Sequence, residues 1–247
     1  MLNLARIKPR RAVSSAELRH WLASPRAAAL LQAEQQWLQE RLQRCFGSYL
    51  LVYNAATDTC WQSDIRHQVH VGTDEQVQDA ICSECLWPVQ PDGADVVLLQ
   101  HSLEFAGSPY DLLREAAQAV RPGGYLLLIG RNPWWLGFAG NRLWRRGHRL
   151  SAGRVSEWLA VLGFAVETPR FAHYLPACGQ RALPRLESFL GKKQWPLGAC
   201  YMIAARKQVH AAPAQRQRNR RLKGLLPMPV AQQTIKPDIA EEQCKHD

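Results

Sequence analysis

The sequence predicts an α/β fold in which a mostly parallel sheet is covered by helices on both faces. Three short runs, residues 48–54, 94–100 and 125–129, are almost wholly apolar, as strands buried on both faces of a parallel sheet are. Between the last two runs lies a helical pattern that begins at Ser108-Pro109. A strand, a helix of about a dozen residues and a second strand make a right-handed βαβ unit.

Two helices are expected before the sheet. Ser14 and Glu17 have the spacing of a capping box, which satisfies free backbone N–H groups at the start of a helix. Ser24 followed by Pro25 starts a second helix with an apolar face, and we expect this helix to close at Gly47.

The remaining elements follow from local signals of the same kind. Residues 68–71 are expected to form a short second strand, and the Arg-Pro-Gly-Gly turn at 121–124 ends the helix of the βαβ unit. Ser151 opens a helix that ends at Gly163, and a strand follows it. Residues 198–205 form the last strand.

The chain divides into three predicted parts. Residues 1–47 form an N-terminal helical extension and residues 48–207 a single domain. Residues 208–247 form a basic tail that lacks periodicity and is rich in Pro, Gln, Arg and Lys. Such a composition buries too little apolar surface to order itself, so we expect a disordered tail.

Composition favours an intracellular protein with an anionic partner. Its formal net charge is +10 over 247 residues, which suits nucleic acid, phosphorylated metabolites or an acidic membrane surface. Seven cysteines without framework spacing indicate reduced thiols and a cytoplasmic location. No transmembrane segment is expected. The basic stretch at 1–15 permits a mitochondrial presequence, although a solvated lead-in is the commoner explanation.

Residues 91–129 carry a family resemblance. PDGADVVLLQHSLEF followed by SPYDLLREAAQAVRPGGYLLLIG resembles the middle of a type 11 class I methyltransferase. Asp95 opens the strand, Leu112 to Ala116 lie on the helix, and the Pro-Gly-Gly turn follows. Asn132-Pro133 and the final strand are most similar to a small YafS-like bacterial subgroup.

This resemblance, which covers about residues 48–207, implies both a fold and a cofactor. The implied fold is a Rossmann-like class I methyltransferase with a mostly parallel seven-stranded sheet and helices on both faces. The implied cofactor is S-adenosyl-L-methionine, and the methyl acceptor is unknown. The cofactor site of such a fold lies outside the carboxyl ends of the strands, where the strand order reverses.

The first two loops at that edge depart from the family pattern. Tyr53, Asn54, Ala55 and Ala56 stand where the family has a glycine-rich loop around the methionine part of the cofactor. The resemblance assigns the ribose hydroxyls to Asp74, since a carboxylate accepts two hydrogen bonds.

The third and fourth loops complete the implied site. The stretch Cys82, Ser83 and Glu84 falls where the family contacts the adenine. Gln100 and His101 follow the fourth strand, and His101 would face the cofactor or the substrate. His101 is the candidate catalytic residue, as a general base on a substrate hydroxyl. The alternative is that its hydrogen bonds shape the loop, because methyl transfer depends more on positioning than on proton abstraction.

The cysteine spacing permits a zinc site only weakly. Cys82 and Cys85 have the spacing of half a zinc site, and the only nearby completions are Cys60, His67 and His70. Because no second pair stands at a matching distance, two ordinary reduced thiols are the favoured interpretation, and no metal is predicted.

A block of tryptophan and arginine follows the fifth strand. It contains Trp134, Trp135, Phe138 and Trp144 together with Arg142, Arg145, Arg146 and Arg149. These side chains suit stacking on RNA bases with contacts to phosphates, or an anionic bilayer. The third alternative is a lid, in which the aromatic rings pack inward and the arginines stay solvated.

The sequence is compatible with two functions. The first is an S-adenosyl-L-methionine-dependent methyltransferase of unknown substrate with a divergent cofactor loop. The alternative is a catalytically inactive protein of the same fold that acts as a binding module, possibly for RNA. A nicotinamide enzyme is disfavoured, because no G-x-G-x-x-G follows a strand.

Overall fold

The structure, a computed structural model, describes most of the first 209 residues. The described residues are 15–54, 61–73, 79–135, 137, 141–175, 189–191 and 193–209. The predictions made for Ser14, Ala55, Ala56, Asp74 and all but the start of the basic tail therefore lie outside them.

The described residues contain two helices before the first strand, and further helices follow the fourth and fifth strands. The helices are α1 (Ser15–Leu22), α2 (Pro25–Leu42), α3 (Pro109–Ala119), α4 (Arg142–Arg146) and α5 (Ala152–Val161). The strands are β1 (Phe46–Asn54), β2 (Asp64–Gly72), β3 (Ala80–Ile81), β4 (Ala94–Gln100), β5 (Val120–Arg131), β6 (Phe164–Val166), β7 (Arg170–Ala172) and β8 (Cys200–Lys207). Within the described part of the chain, no helix combines the length and the apolarity needed to cross a bilayer.

The strands form one mixed sheet in the order β3-β2-β1-β4-β5-β8-β6. The first five strands are parallel, and β8 runs antiparallel to β5. Eight strands are present where seven were predicted, because β6 and β7 pair one after the other with the same edge of β8. The sheet therefore has seven strand positions, and the predicted α/β architecture is confirmed.

Helices cover both faces of the sheet. On one face, α3 and α5 pack over β1, β4 and β5 in a cluster that includes Leu99, Leu112 and Val155. On the other face, Trp37 and Leu38 of α2 lie in a cluster with the inward residues of β1, β4 and β5. Because these strands are covered on both faces, the side chains on both faces must be apolar, which explains their almost wholly apolar sequences.

Helix α2 covers a region where the sheet has only short connections. Nine residues, 55–63, separate β1 from β2, and seven, 73–79, separate β2 from β3. Parallel strands are usually joined by crossovers of a dozen or more residues that contain a helix. Helix α2 therefore supplies the helical layer over β1, and its apolar side chains are part of the core.

The role predicted for Gly47 is wrong. Helix α2 ends at Leu42, and Gly47 lies within β1. A Cβ at this position would come 2.2 Å from Cγ of Asp95. The carboxylate of Asp95 accepts hydrogen bonds from the backbone N–H groups of Ser48 and Tyr49 at 2.7 and 2.9 Å. The absence of a side chain at Gly47 thus leaves room for the Asp95 carboxylate of β4 beside β1.

Strands β2 and β5 begin several residues before their predicted first residues. Strand β2 begins at Asp64 because it pairs with β1 from Phe46 onward. Strand β5 begins at Val120, directly after α3, so the Pro-Gly-Gly segment belongs to its first residues. Pairing with a neighbour extends both strands through residues that carry no apolar signal of their own.

Substitution of Gly124 by alanine should lower the free energy of unfolding by about 1–3 kcal/mol. Its Cβ would come 2.6 Å from the backbone oxygen of Asp95, so one of the two strands must shift. Gly153→Ala in α5 is the matched control. A Cβ added at this position would meet nothing within 4 Å, and alanine favours the helix more than glycine does. Urea denaturation measures both variants, and equal effects would contradict the close-approach explanation.

Candidate active site

The carboxyl ends of β1 and β4 meet at the point where the strand order reverses. Strand β1 has β2 and β3 on one side and β4 with β5 on the other. Asn54, the last residue of β1, pairs with Gln100, the last residue of β4. In open α/β sheets, ligands bind in the crevice outside such a reversal point. The structure thus places the start of the predicted first loop beside the predicted fourth loop.

Tyr53 turns its ring into the core beside this crevice. The ring is buried and stacks on Trp87 with centroids 5.4 Å apart and an interplanar angle of 5°. Burial raises the pKa of the Tyr53 phenol, and the Glu84 carboxylate raises it further. The backbone oxygen of Tyr53 accepts a hydrogen bond from Oγ of Ser102 at 2.7 Å. Tyr53 therefore fastens β1 to the segment after β4.

The predicted adenine segment connects two neighbouring loops. Cys82 is buried, and its N–H donates to the backbone oxygen of Gly72 at 2.8 Å. Oε2 of Glu84 accepts a hydrogen bond from the N–H of Gly107 at 2.7 Å. Ser83 is exposed. These residues lie directly after β3 and tie the end of β2 to the loop before α3.

A buried polar cluster occupies the carboxyl end of β4. It consists of Glu34, Gln100, His101 and Glu104, and is called the Glu34 cluster below. Oε1 of Glu34 lies 2.9 Å from Nε2 of His101, and Oε2 accepts a hydrogen bond from Nε2 of Gln100 at 2.9 Å. Nδ1 of His101 lies 3.8 Å from Oε1 of Glu104. Helix α2 is thereby joined to the predicted fourth loop.

His101 is charged in this environment. Burial by itself lowers the pKa of the His101 imidazole, but the carboxylates of Glu34 and Glu104 raise it to about 10. Burial by itself raises the pKa of Glu104, but the positive charge of His101 and hydrogen bonds from the backbone leave this pKa lowered overall. Arg131 is also buried, with its guanidinium 5.6 Å from the centroid of the Trp144 ring.

The geometry of His101 suits a positioning role. The residue is 1% exposed and has a φ of +49°, a left-handed conformation that few residues other than glycine adopt. A protonated imidazole accepts no further proton. The charge of His101 and its left-handed backbone therefore both favour the alternative in which its hydrogen bonds shape the loop. Its general-base role stays a prediction.

The tryptophan and arginine block closes over the cluster. Trp144 is fully buried, with its ring 5.5 Å from that of His101 and 4.9 Å from that of Trp21 on α1. Nε1 of Trp135 donates to the backbone oxygen of Tyr174 at 3.0 Å. The ring of Trp134 is exposed, as are Arg142, Arg145 and Arg149, while Arg146 is half-buried; Phe138 lies outside the described residues. Trp135 and Trp144 thus pack inward, as in the lid alternative, whereas Trp134 does not.

Cys82 and Cys85 are both free thiols. Burial raises the pKa of each, slightly reinforced at Cys85 by neighbouring carboxylates. In the described part of the chain, no three His, Cys, Asp or Glu side chains come together as metal ligands do. Cys60, one of the residues that could complete such a site, lies outside the described residues.

Glu34 and Trp87 were missed by sequence reasoning. Leu30, Glu34 and Leu38 recur every four residues, so the carboxylate stands on the buried face of an amphipathic helix. A charge at such a position signals a buried partner. Trp87 gave no comparable signal, because it lies in a loop without periodicity.

The fold and the position of this crevice define a Rossmann-like class I methyltransferase fold. Residues 45–128, which span β1 to β4 and most of β5, match the family described as "Methyltransferase domain". This segment is thus similar to the methyltransferase family, in agreement with the type 11 resemblance.

Individual relatives agree with this assignment. The chain is similar to the uncharacterized protein YafS of Escherichia coli K12, with 26% identity over 167 residues, 63% of this chain and 69% of YafS. Its fold is similar to that of a SAM-dependent methyltransferase from Archaeoglobus fulgidus, with a TM-score of 0.57, 15% identity, and coverage of 78% and 99%. The cyclase SpnF matches with a TM-score of 0.53, 15% identity, and coverage of 72% and 80%. Since a cyclase shares the fold, the fold alone does not fix the reaction.

Proposed function

We propose that this chain is an S-adenosyl-L-methionine-dependent methyltransferase. The observation that carries the proposal is that the segment matched to the methyltransferase domain contains both strands of the reversal point. The carboxyl ends of β1 and β4 are where this fold offers a crevice to a ligand. The cofactor would lie at this edge of the sheet.

The described residues fit the methionine part of the cofactor in their chemistry. Oε1 of Gln100 and Oε2 of Glu104 are buried acceptors without a hydrogen-bond partner among the described residues. Buried acceptors of this kind are normally satisfied, and the ammonium group of the cofactor is a suitable donor. The residues proposed to hold the cofactor are Tyr53, Asn54, Ala55, Ala56, Asp74, Cys82, Ser83, Glu84, Gln100 and His101.

When bound, the cofactor supplies a methyl group activated on a sulfonium. The chain's own contribution is to orient the acceptor and to exclude water, which together account for most of the rate in a direct transfer. The Glu34 cluster fixes the backbone after β4, and Trp144 closes over it. His101 is proposed as a positioning residue whose charge holds two carboxylates in place. The acceptor and its attacking atom are unassigned.

Calorimetric titration of the full chain with S-adenosyl-L-methionine tests the proposal. We expect saturable binding, and about tenfold weaker binding in Gln100→Ala, because a hydrogen bond to a charged group is lost. Gln90→Ala is the matched control, since this glutamine is exposed in the loop before β4 and should leave the affinity unchanged. Circular dichroism first verifies that each variant is folded at the titration temperature.

The absence of binding at millimolar cofactor to a folded chain would overturn the methyltransferase proposal. The alternative would then be the inactive binding module, and an RNA affinity that falls steeply with salt would support it. The cytoplasmic location and the boundaries 1–47, 48–207 and 208–247 remain predictions, with the qualification that α2 packs on the sheet.

A further inference from the structure

A cleft opens between the N-terminal helices and α4, on the far side of Trp21 and Trp144 from His101. Its volume is about 650 Å³, within the range of sites for single small molecules. The polar and aromatic side chains that line it include Glu17, His20, Trp21, Ser24, Arg142 and Arg146. None of the residues proposed to hold the cofactor lines it.

The cleft has the charge of an anion site. Arg142 is exposed and has no ion-pair partner among the described residues. Arg146 forms an ion pair with Glu17 at 2.9 Å, which leaves the positive charge of Arg142 uncompensated. Arg145, on the same helix, does not line the cleft. Among the described residues that line the cleft, Arg142 thus offers the one guanidinium without an ion-pair partner.

The start of α2 adds a second, independent feature. Ser24 precedes this helix of 18 residues, but its side chain makes no capping hydrogen bond. Its Oγ is buried at the cleft and has no hydrogen-bond partner among the described residues. A hydroxyl donor at a helix N-terminus, where the dipole is positive, favours an anionic group.

Trp21 provides an apolar wall. Its ring is half-buried and is held edge-on by Trp144 at 4.9 Å. A fixed indole offers a flat surface on which an aromatic ring can stack. Leu143 and Pro25 extend the apolar lining.

We propose that this cleft binds a small aryl anion, a molecule that joins an aromatic ring to a carboxylate or phosphate. The anion would meet Arg142 and the Oγ of Ser24, and the ring would lie against Trp21. A small molecule fits better than RNA, because one uncompensated guanidinium in a cleft of this size matches a single anionic group. The proposal goes beyond the methyltransferase function and does not depend on it.

Calorimetry on the full chain with phenyl phosphate, benzoate and the neutral analogue benzyl alcohol tests the site. We expect one aryl anion to bind at least about tenfold more tightly than benzyl alcohol. Arg142→Gln should weaken that anion about tenfold, and Arg145→Gln, with the same charge change on the same helix, by less than about twofold. The anion that binds more tightly shows whether the cleft prefers a phosphate or a carboxylate.

Three results would overturn the inference. Equal weakening by Arg142→Gln and Arg145→Gln would mean attraction to general surface charge. Equal affinity for benzyl alcohol and the anions would show that Arg142 does not recognise a negative charge on the ligand. Failure of both anions to bind at millimolar concentration to a folded chain would mean that the cleft takes no aryl anion. A parallel titration with S-adenosyl-L-methionine keeps these outcomes separate from a failure of the methyltransferase proposal.

Discussion

Replacing Glu34 with alanine is expected to lower the free energy of unfolding by about 3–5 kcal/mol, the usual effect of breaking a buried ion pair. The substitution leaves the His101 imidazolium without its 2.9 Å partner and removes the acceptor of the Gln100 amide. Both groups are buried, so water cannot replace the carboxylate without opening the packing of α2. Urea denaturation followed by circular dichroism measures the change.

Glu40→Ala is the control on the same helix. The Glu40 carboxylate is half-exposed and lies 3.7 Å from Arg170, so its loss should cost less than about 1 kcal/mol. Glu34→Gln should fall between the two, because the amide oxygen still accepts one hydrogen bond. Equal, small effects of the three variants would show that α2 is not held on the sheet by the Glu34 cluster.

Stability should fall as the pH rises from about 6.5 towards 10, and His101 is the cause. The folded pKa of His101 is about 10, above its ordinary value, so the folded state holds a proton that the unfolded chain releases. The stabilisation is complete below the unfolded pKa and is lost as the pH approaches the folded one. Each pH unit in this window costs up to about 1.4 kcal/mol. Urea denaturation at a series of pH values measures the slope.

The charges that face His101 are the carboxylates of Glu34 and Glu104. His101→Asn is the matched variant, because asparagine tolerates the left-handed backbone at this position and does not titrate. Its unfolding free energy should depend less on pH across the window than that of the natural chain. An identical slope in both proteins would place the titrating group elsewhere.

The architecture could be predicted because local signals decide most of it. The strand at 94–100 matches β4 residue for residue, and the helix at Ser108-Pro109 matches α3. These elements are bounded by caps, turns and apolar runs that need no distant partner. The long extent of β2 and the place of Gly47 depend on pairing with β1 and β4, which leaves no local trace.

Tertiary contacts decide the site, and sequence reasoning saw it less completely. Gln100 and His101 were found because they follow a clear strand that resembles the family's fourth. Glu34 lies 67 residues before His101 in the chain, and only the packing of α2 on the sheet brings the two together. Similarly, the inward packing of Trp144 against Trp21 depends on where α1 lies. Secondary-structure propensities depend on neighbouring residues in the chain, so they do not predict contacts between residues that are far apart in sequence.

The most direct test of the methyltransferase account is a crystal structure of the full chain with S-adenosyl-L-homocysteine, the demethylated form of the cofactor. The account predicts density for this molecule at the carboxyl ends of β1 and β4, with its amino group within hydrogen-bond distance of Oε1 of Gln100. A bound molecule at any other place on the sheet, or unliganded protein at saturating concentration, would contradict it.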